Sequence, residues 1–170
     1  MPKAIKNYVR CVDSVNRKLG RFTMYLIFLM IGVLLYAAIA RSVFDAPVIW
    51  AVEMAQFILA TYYMLGGPYS VQMGAHVRMD LVYGRWSPRR RAFTDSLTAF
   101  CLIGYLGVLL YGAVSSTQYA LEYGQRNYSV WAPPMAPIKI IMTVGILLML
   151  LQALSIFFKD WASYRGKSIA

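Results

Sequence analysis

The sequence predicts an all-α membrane protein, with four transmembrane helices preceded by an amphipathic interfacial helix and both termini in the cytoplasm. Three observations predict it. Of 170 residues, 59% are hydrophobic and only 14% charged, where a soluble domain carries about a quarter charged, so the surplus apolar surface calls for lipid. The apolar residues gather into four runs, each near the ~20 residues that a helix needs to cross the hydrocarbon core. The basic residues sit at the ends of those runs. A net charge of +10 therefore points to membrane topology and anionic lipid headgroups, and not to nucleic acid.

The first element is the interfacial helix, over residues 3–20. Ile5, Tyr8, Val9, Val12, Val15, Leu19 and Phe22 recur at steps of three and four and share one face. Lys6, Arg10, Asp13, Arg17 and Arg21 fall on the other. That pattern suits a helix lying in the cytoplasmic interface, with Gly20 turning the chain upward. The first span follows at about 22–40, without a charge. It begins too late and runs too long for a cleavable signal peptide.

The second span, about 47–71, holds a single charge, Glu53, and a Gly66-Gly67-Pro68 break near its cytoplasmic end. The third, about 96–120, is uncharged. The fourth, about 137–158, is entered through Pro133, Pro134 and Pro137, since proline in a first helical turn forfeits no hydrogen bond. Together these make a single membrane domain, 1–170. Fourteen Lys and Arg fall in the N-terminal segment, the loop between the second and third spans, and the C-terminal tail, against three elsewhere. The positive-inside bias puts both termini in the cytoplasm.

Little in the chain can carry chemistry. His76 is the single histidine, which excludes a haem held by two histidines and leaves a catalytic zinc site short of ligands. Cys11 and Cys101 form no disulfide framework, and Cys101 reads as a packing residue. Phosphate-loop and nucleophile-elbow motifs are absent. The expectation is a protein without cofactor or metal, and not an enzyme. Glu53 is the sharpest residue, because an acid within a span costs roughly 2.5–3.5 kcal/mol and should face protein and find a partner. Arg41 and Lys139 are the cations near the same mouth. Gly112 and Ser116 form the best small-xxx-small pair for close helix contact.

One ordered set of motifs is more specific. Arg41 follows the first span; Pro47-Val-Ile-Trp50-Ala-Val-Glu53 enters the second; Leu65-Gly66-Gly67 lies within it; Gly74-Ala-His76-Val-Arg78-Met-Asp80 follows; and Ser129-Val-Trp131-Ala-Pro133 to Lys139 leads into the fourth. This resembles the small, DctQ-like membrane subunit of tripartite ATP-independent periplasmic (TRAP) transporters, over roughly residues 20 to 158. The chain has Val52 where many members carry a second acid, and Gln72 and Met73 where basic residues are common. The resemblance implies a sodium-driven uptake system for an organic acid in a bacterial or archaeal cytoplasmic membrane. Its partners would be a large TRAP membrane subunit, which holds the substrate and ion sites, and a periplasmic substrate-binding protein. The small subunit would be a non-catalytic scaffold. Arg41, Trp50 and Glu53 would brace the periplasmic end against the large subunit, and Lys139 would lie close by. His76, Arg78 and Asp80 would fix a cytoplasmic loop. The outer loop bearing Tyr119, Tyr123, Tyr128 and Trp131 would meet the periplasmic protein or sit at the lipid interface.

Two readings from other classes remain. A membrane anchor of an oxidoreductase complex is weakened by the single histidine. A small oligomeric channel needs a polar stripe, and only Glu53, Gln56 and Thr61 supply one.

Overall fold

The computed structural model describes residues 3–73 and 88–164, with side chains over 5–73 and 98–159. Four helices make up the described chain: α1 (Lys3–Phe44), α2 (Ile49–Gln72), α3 (Pro88–Glu122) and α4 (Ala136–Tyr164). Beyond one isolated bridge between Arg126 and Pro134, the described residues contain no β-structure.

Helix α1 is 42 residues long, about 63 Å at 1.5 Å per residue and twice the thickness of a bilayer core. It passes through Gly20 without interruption. The separate interfacial helix, turned upward at Gly20, is therefore corrected to one continuous rod. The reason lies in packing. A Cβ at Gly20 would collide with the Tyr69 ring, so glycine serves close approach to α2 here and not a turn. Part of the apolar stripe is covered by protein, although Val15 and Phe22 are exposed. Val9 is buried, the Tyr8 hydroxyl donates to the Leu151 carbonyl at 3.0 Å, and its ring meets Phe158 edge-on with centroids 6.2 Å apart.

Helix α1 ends where Asp45 takes a left-handed conformation (φ 49°), a region that aspartate tolerates better than most residues. The Ala46 amide reaches back to the Ala40 carbonyl at 3.2 Å. So short a connection returns α2 beside α1. Gly20 meets Tyr69, Thr23 meets Gly66, and Tyr36 stacks on Trp50 with centroids 6.2 Å apart. The partners run in opposite order, so the two helices are antiparallel.

The expected break at Gly66-Gly67-Pro68 does not occur, and α2 continues as helix to Gln72. Pro68 is fully buried. Having no N–H, it leaves the carbonyl of Met64, four residues earlier, without its helical donor. Helix α4 comes in at that carbonyl. A Cβ on Gly145 would stand 2.6 Å from the Met64 oxygen, so only glycine fits, and the hydrogen in its place points at the unpaired acceptor. One turn on, Gly67 lies under the Met149 side chain. These pairs run in the same order along both chains, so α2 and α4 are parallel.

Helix α4 thus packs on α2 and α1, and α3 packs on α4. The α3–α4 contact is polar near the end of α3 and the start of α4. The Thr117 and Thr143 hydroxyls lie 2.8 Å apart and reach the carbonyls of Ala113 and Lys139. The close contact expected at Gly112 is not made among the described residues. A Cβ at Gly104, Gly107 or Gly112 would meet nothing within 4 Å, and Tyr105, Val108 and Tyr111 are exposed on the same helix.

Among the described residues, three helices are long and apolar enough to cross a membrane: the segments Ile5–Phe44, Thr98–Glu122 and Ala136–Lys159. Helix α2 has the length, at 24 residues. Glu53, Gln56, three tyrosines and Gln72 dilute its apolar character.

Candidate functional site

The end of the bundle that carries the α1–α2 turn and the α3–α4 connection forms a mouth. Helix α3 stops at Glu122, and Gly124 takes a left-handed conformation (φ 57°) while the Gln125 amide bonds back to the Ala120 carbonyl at 3.1 Å. This is a Schellman-type stop, and glycine suits it because it has no Cβ to clash. The chain then forms a tongue. The Asn127 amide donates to the Pro133 carbonyl at 3.0 Å, and the Met135 amide to the Gln125 carbonyl at 2.9 Å. At the tip, Tyr128 and Val130 are almost wholly exposed. Ala132 is held at φ 45° with its amide on the Ser129 hydroxyl at 3.1 Å. Helix α4 begins one residue before Pro137.

The tip leans over the α1–α2 turn. Val130 and Trp131 line, with Tyr36, Ala40, Pro47 and Trp50, a cavity of about 440 Å³. Trp50 and Trp131, far apart in sequence, are thereby brought to one crevice. Tyr119 in the last turn of α3 and Tyr123 just past its end have ring centroids 4.6 Å apart, both exposed.

Lys139 is committed elsewhere. Its ammonium donates to Gln125 Oε1 at 2.6 Å and to the Ser116 carbonyl at 3.3 Å, fastening the tongue to the ends of α3 and α4. Arg41 is exposed. Among the described residues neither cation pairs with Glu53; the ion pair found there joins Lys159 to Asp13. The Glu53 carboxylate is half-buried, and its Oε2 is enclosed without a hydrogen-bond partner. His76, Arg78 and Asp80 lie outside the described residues.

The opposite end holds a polar cluster that reading the sequence missed. Asp13 points inward, not toward the charged face assigned to it. Its carboxylate accepts from Lys159 Nζ at 2.6 Å, Gln152 Nε2 at 3.0 Å and Ser155 Oγ at 3.4 Å. Gln152 Oε1 in turn accepts from Asn16 Nδ2 at 2.6 Å, and the Asp13 carbonyl accepts from Gln72 Nε2 at 3.2 Å. Asn16, Gln152 and Ser155 are 1% exposed or less, so the cluster is an internal latch joining α1, α2 and α4. A signal was available. Gln152 and Ser155 interrupt an apolar run, and polar residues in a span seek each other across helices.

Comparison with known proteins agrees with this architecture. The family described as tripartite ATP-independent periplasmic transporters, DctQ component, matches residues 30–163. The chain is 24% identical over 162 residues to the sialic acid TRAP transporter permease protein SiaT of Haemophilus influenzae (strain 86-028NP), covering 92% of this chain and 25% of that protein. It spans about a quarter of the length of that curated relative. The family match takes in the motifs from Arg41 through Asp80 to Lys139, three of the described helices are long and apolar enough to cross a membrane, and the chain is a multi-pass membrane protein that belongs to the DctQ family of TRAP transporter components.

Proposed function

We propose that the chain is the small permease subunit of a sodium-driven TRAP system that takes up an organic acid across a bacterial or archaeal inner membrane. In this role it is a non-catalytic scaffold for the large transport subunit and helps to dock the periplasmic substrate-binding protein. The observation that carries the proposal is the pair of coverages: nearly the whole chain aligns with one quarter of a longer permease. The remaining transport machinery of such a permease is what the scaffold packs against. The open face of α3 around Gly104, Gly107 and Gly112 and the partnerless Glu53 oxygen supply contacts for it, and the exposed tongue offers a surface to the periplasmic protein.

Four spans with both termini inside belong to the same proposal. Helix α2 lies antiparallel beside α1 and parallel to α4, so where those two cross the bilayer α2 crosses with them. Its Glu53 is half-buried against protein, as an acid within a span should be, while Gln56 and Tyr63 are exposed.

Reconstitution tests the role. Purified alone in liposomes, the chain is expected to show no sodium-dependent uptake of any organic acid. With its large partner and periplasmic protein, the complex takes up substrate. Uptake by the lone chain, or full activity of the large subunit without it, overturns the scaffold reading.

A further inference from the structure

A groove of about 340 Å³ opens between α1 and α2 at the end opposite the mouth, lined by Thr23, Met24, Tyr62, Tyr63, Gly66 and Ser70 among others. We propose that it binds an anionic phospholipid, with an acyl chain laid along Gly66 and the phosphate held by Arg17 and Arg21.

Shape and charge both support this occupant. The floor is low at Gly66, where a Cβ would lie 3.7 Å from the Thr23 methyl, an ordinary contact beside open space, while Gly20 and Gly67 are closed over by Tyr69 and Met149. The rim is basic. Arg17, Lys18 and Arg21 are all exposed, and Arg17 and Arg21 precede Met24 by two turns and one turn of α1, so all three lie on one stripe along the groove. A guanidinium fork binds phosphate oxygens two at a time, in fixed geometry. The level is right as well. The apolar run of α1 begins at Phe22, which places the two arginines at headgroup depth with the groove running into the hydrocarbon below them. The Tyr69 and Ser70 hydroxyls of the lining, at the level of Gly20, suit the ester region between.

Which leaflet supplies the lipid rests on the topology proposed above, which puts this end in the cytoplasm, where anionic lipid attracts basic residues. Binding itself does not depend on that reading, and it is measured without it. Native mass spectrometry of the full chain in neutral detergent, titrated with phosphatidylglycerol and separately with phosphatidylcholine, is expected to show retained phosphatidylglycerol in preference. Arg17→Gln with Arg21→Gln weakens phosphatidylglycerol binding about thirty-fold and leaves phosphatidylcholine unchanged. Met24→Trp fills the groove and weakens both lipids. Lys6→Gln with Arg10→Gln removes the same charge from the same helix away from the groove and changes neither. Equal retention of the two lipids overturns the proposal. So does an equal loss from the Lys6 and Arg10 pair, which would mean diffuse attraction to a basic helix, or undiminished binding to the Met24→Trp protein. Circular dichroism confirms that each variant, altered only at an exposed residue, is folded.

Discussion

At the scale of single residues, the bundle is decided by a few small or polar side chains at points where helices touch. Gly145 sits against the carbonyl that Pro68 leaves unpaired. Gly145→Ala is expected to cost about 1–3 kcal/mol through overpacking, whereas Gly112→Ala, on an open face, gains helix propensity and costs nothing. Thermal unfolding in detergent distinguishes them, and a Gly145→Ala protein as stable as its parent would show that the contact with Met64 is not made. Asp13 collects three side-chain donors, so Asp13→Ala should cost about 2–4 kcal/mol by leaving Gln152 and Lys159 without their acceptor. Lys159 is 37% exposed and its charge is screened by water, so Lys159→Gln should cost about 1 kcal/mol or less in the same assay. For Glu53, whose enclosed oxygen lacks a partner among the described residues, Glu53→Gln is expected to keep assembly with the large subunit and lower uptake moderately, while Glu53→Leu impairs assembly. Intact assembly with sodium dependence abolished in Glu53→Gln would make the residue an ion site instead.

At the scale of elements, the continuity of α1 has the largest consequence. A separate interfacial helix would float on the membrane surface; a rod continuous with the first span carries the latch residues Asp13 and Asn16 to fixed places against α2 and α4. Spin labels at Lys6→Cys and Phe28→Cys, with Cys11 and Cys101 changed to serine, test this. The backbone positions should lie about 33 Å apart along one helix, against about 24 Å for two segments at right angles. Double electron–electron resonance measures the separation, and the shorter distance would restore the turn at Gly20. The α3–α4 tongue is the second element with a defined form, since its backbone bonds and the Lys139–Gln125 contact hold a short non-helical segment that carries Trp131 toward Trp50.

At the scale of the whole molecule, α1, α2 and α4 pack on one another, and α3 joins through α4. This leaves one helix with a broad exposed face and both hairpin turns at the same end. Cysteine labelling should place positions near Lys6, Arg90 and Lys167 on the cytoplasmic side and positions near Asp45 and Arg126 outside. Labelling of Arg90→Cys from the periplasmic side alone would overturn that topology.

The membrane class, the position of each long apolar run and the proline-marked start of the last helix were legible in the sequence. Length, hydropathy and flanking charge are properties of a chain segment by itself, and lipid reads them locally. The aromatic mouth was half legible: Trp50 and Trp131 were named separately, and only the tongue's backbone bonds bring them to one crevice. The tertiary structure alone decided the contacts. Gly20 and Gly145 became the points of close approach in place of Gly112, Asp13 turned inward, and Lys139 bound Gln125 and not Glu53. Each outcome depends on which helix stands beside which, and at what rotation about its axis, and that arrangement is set only when all the helices pack at once.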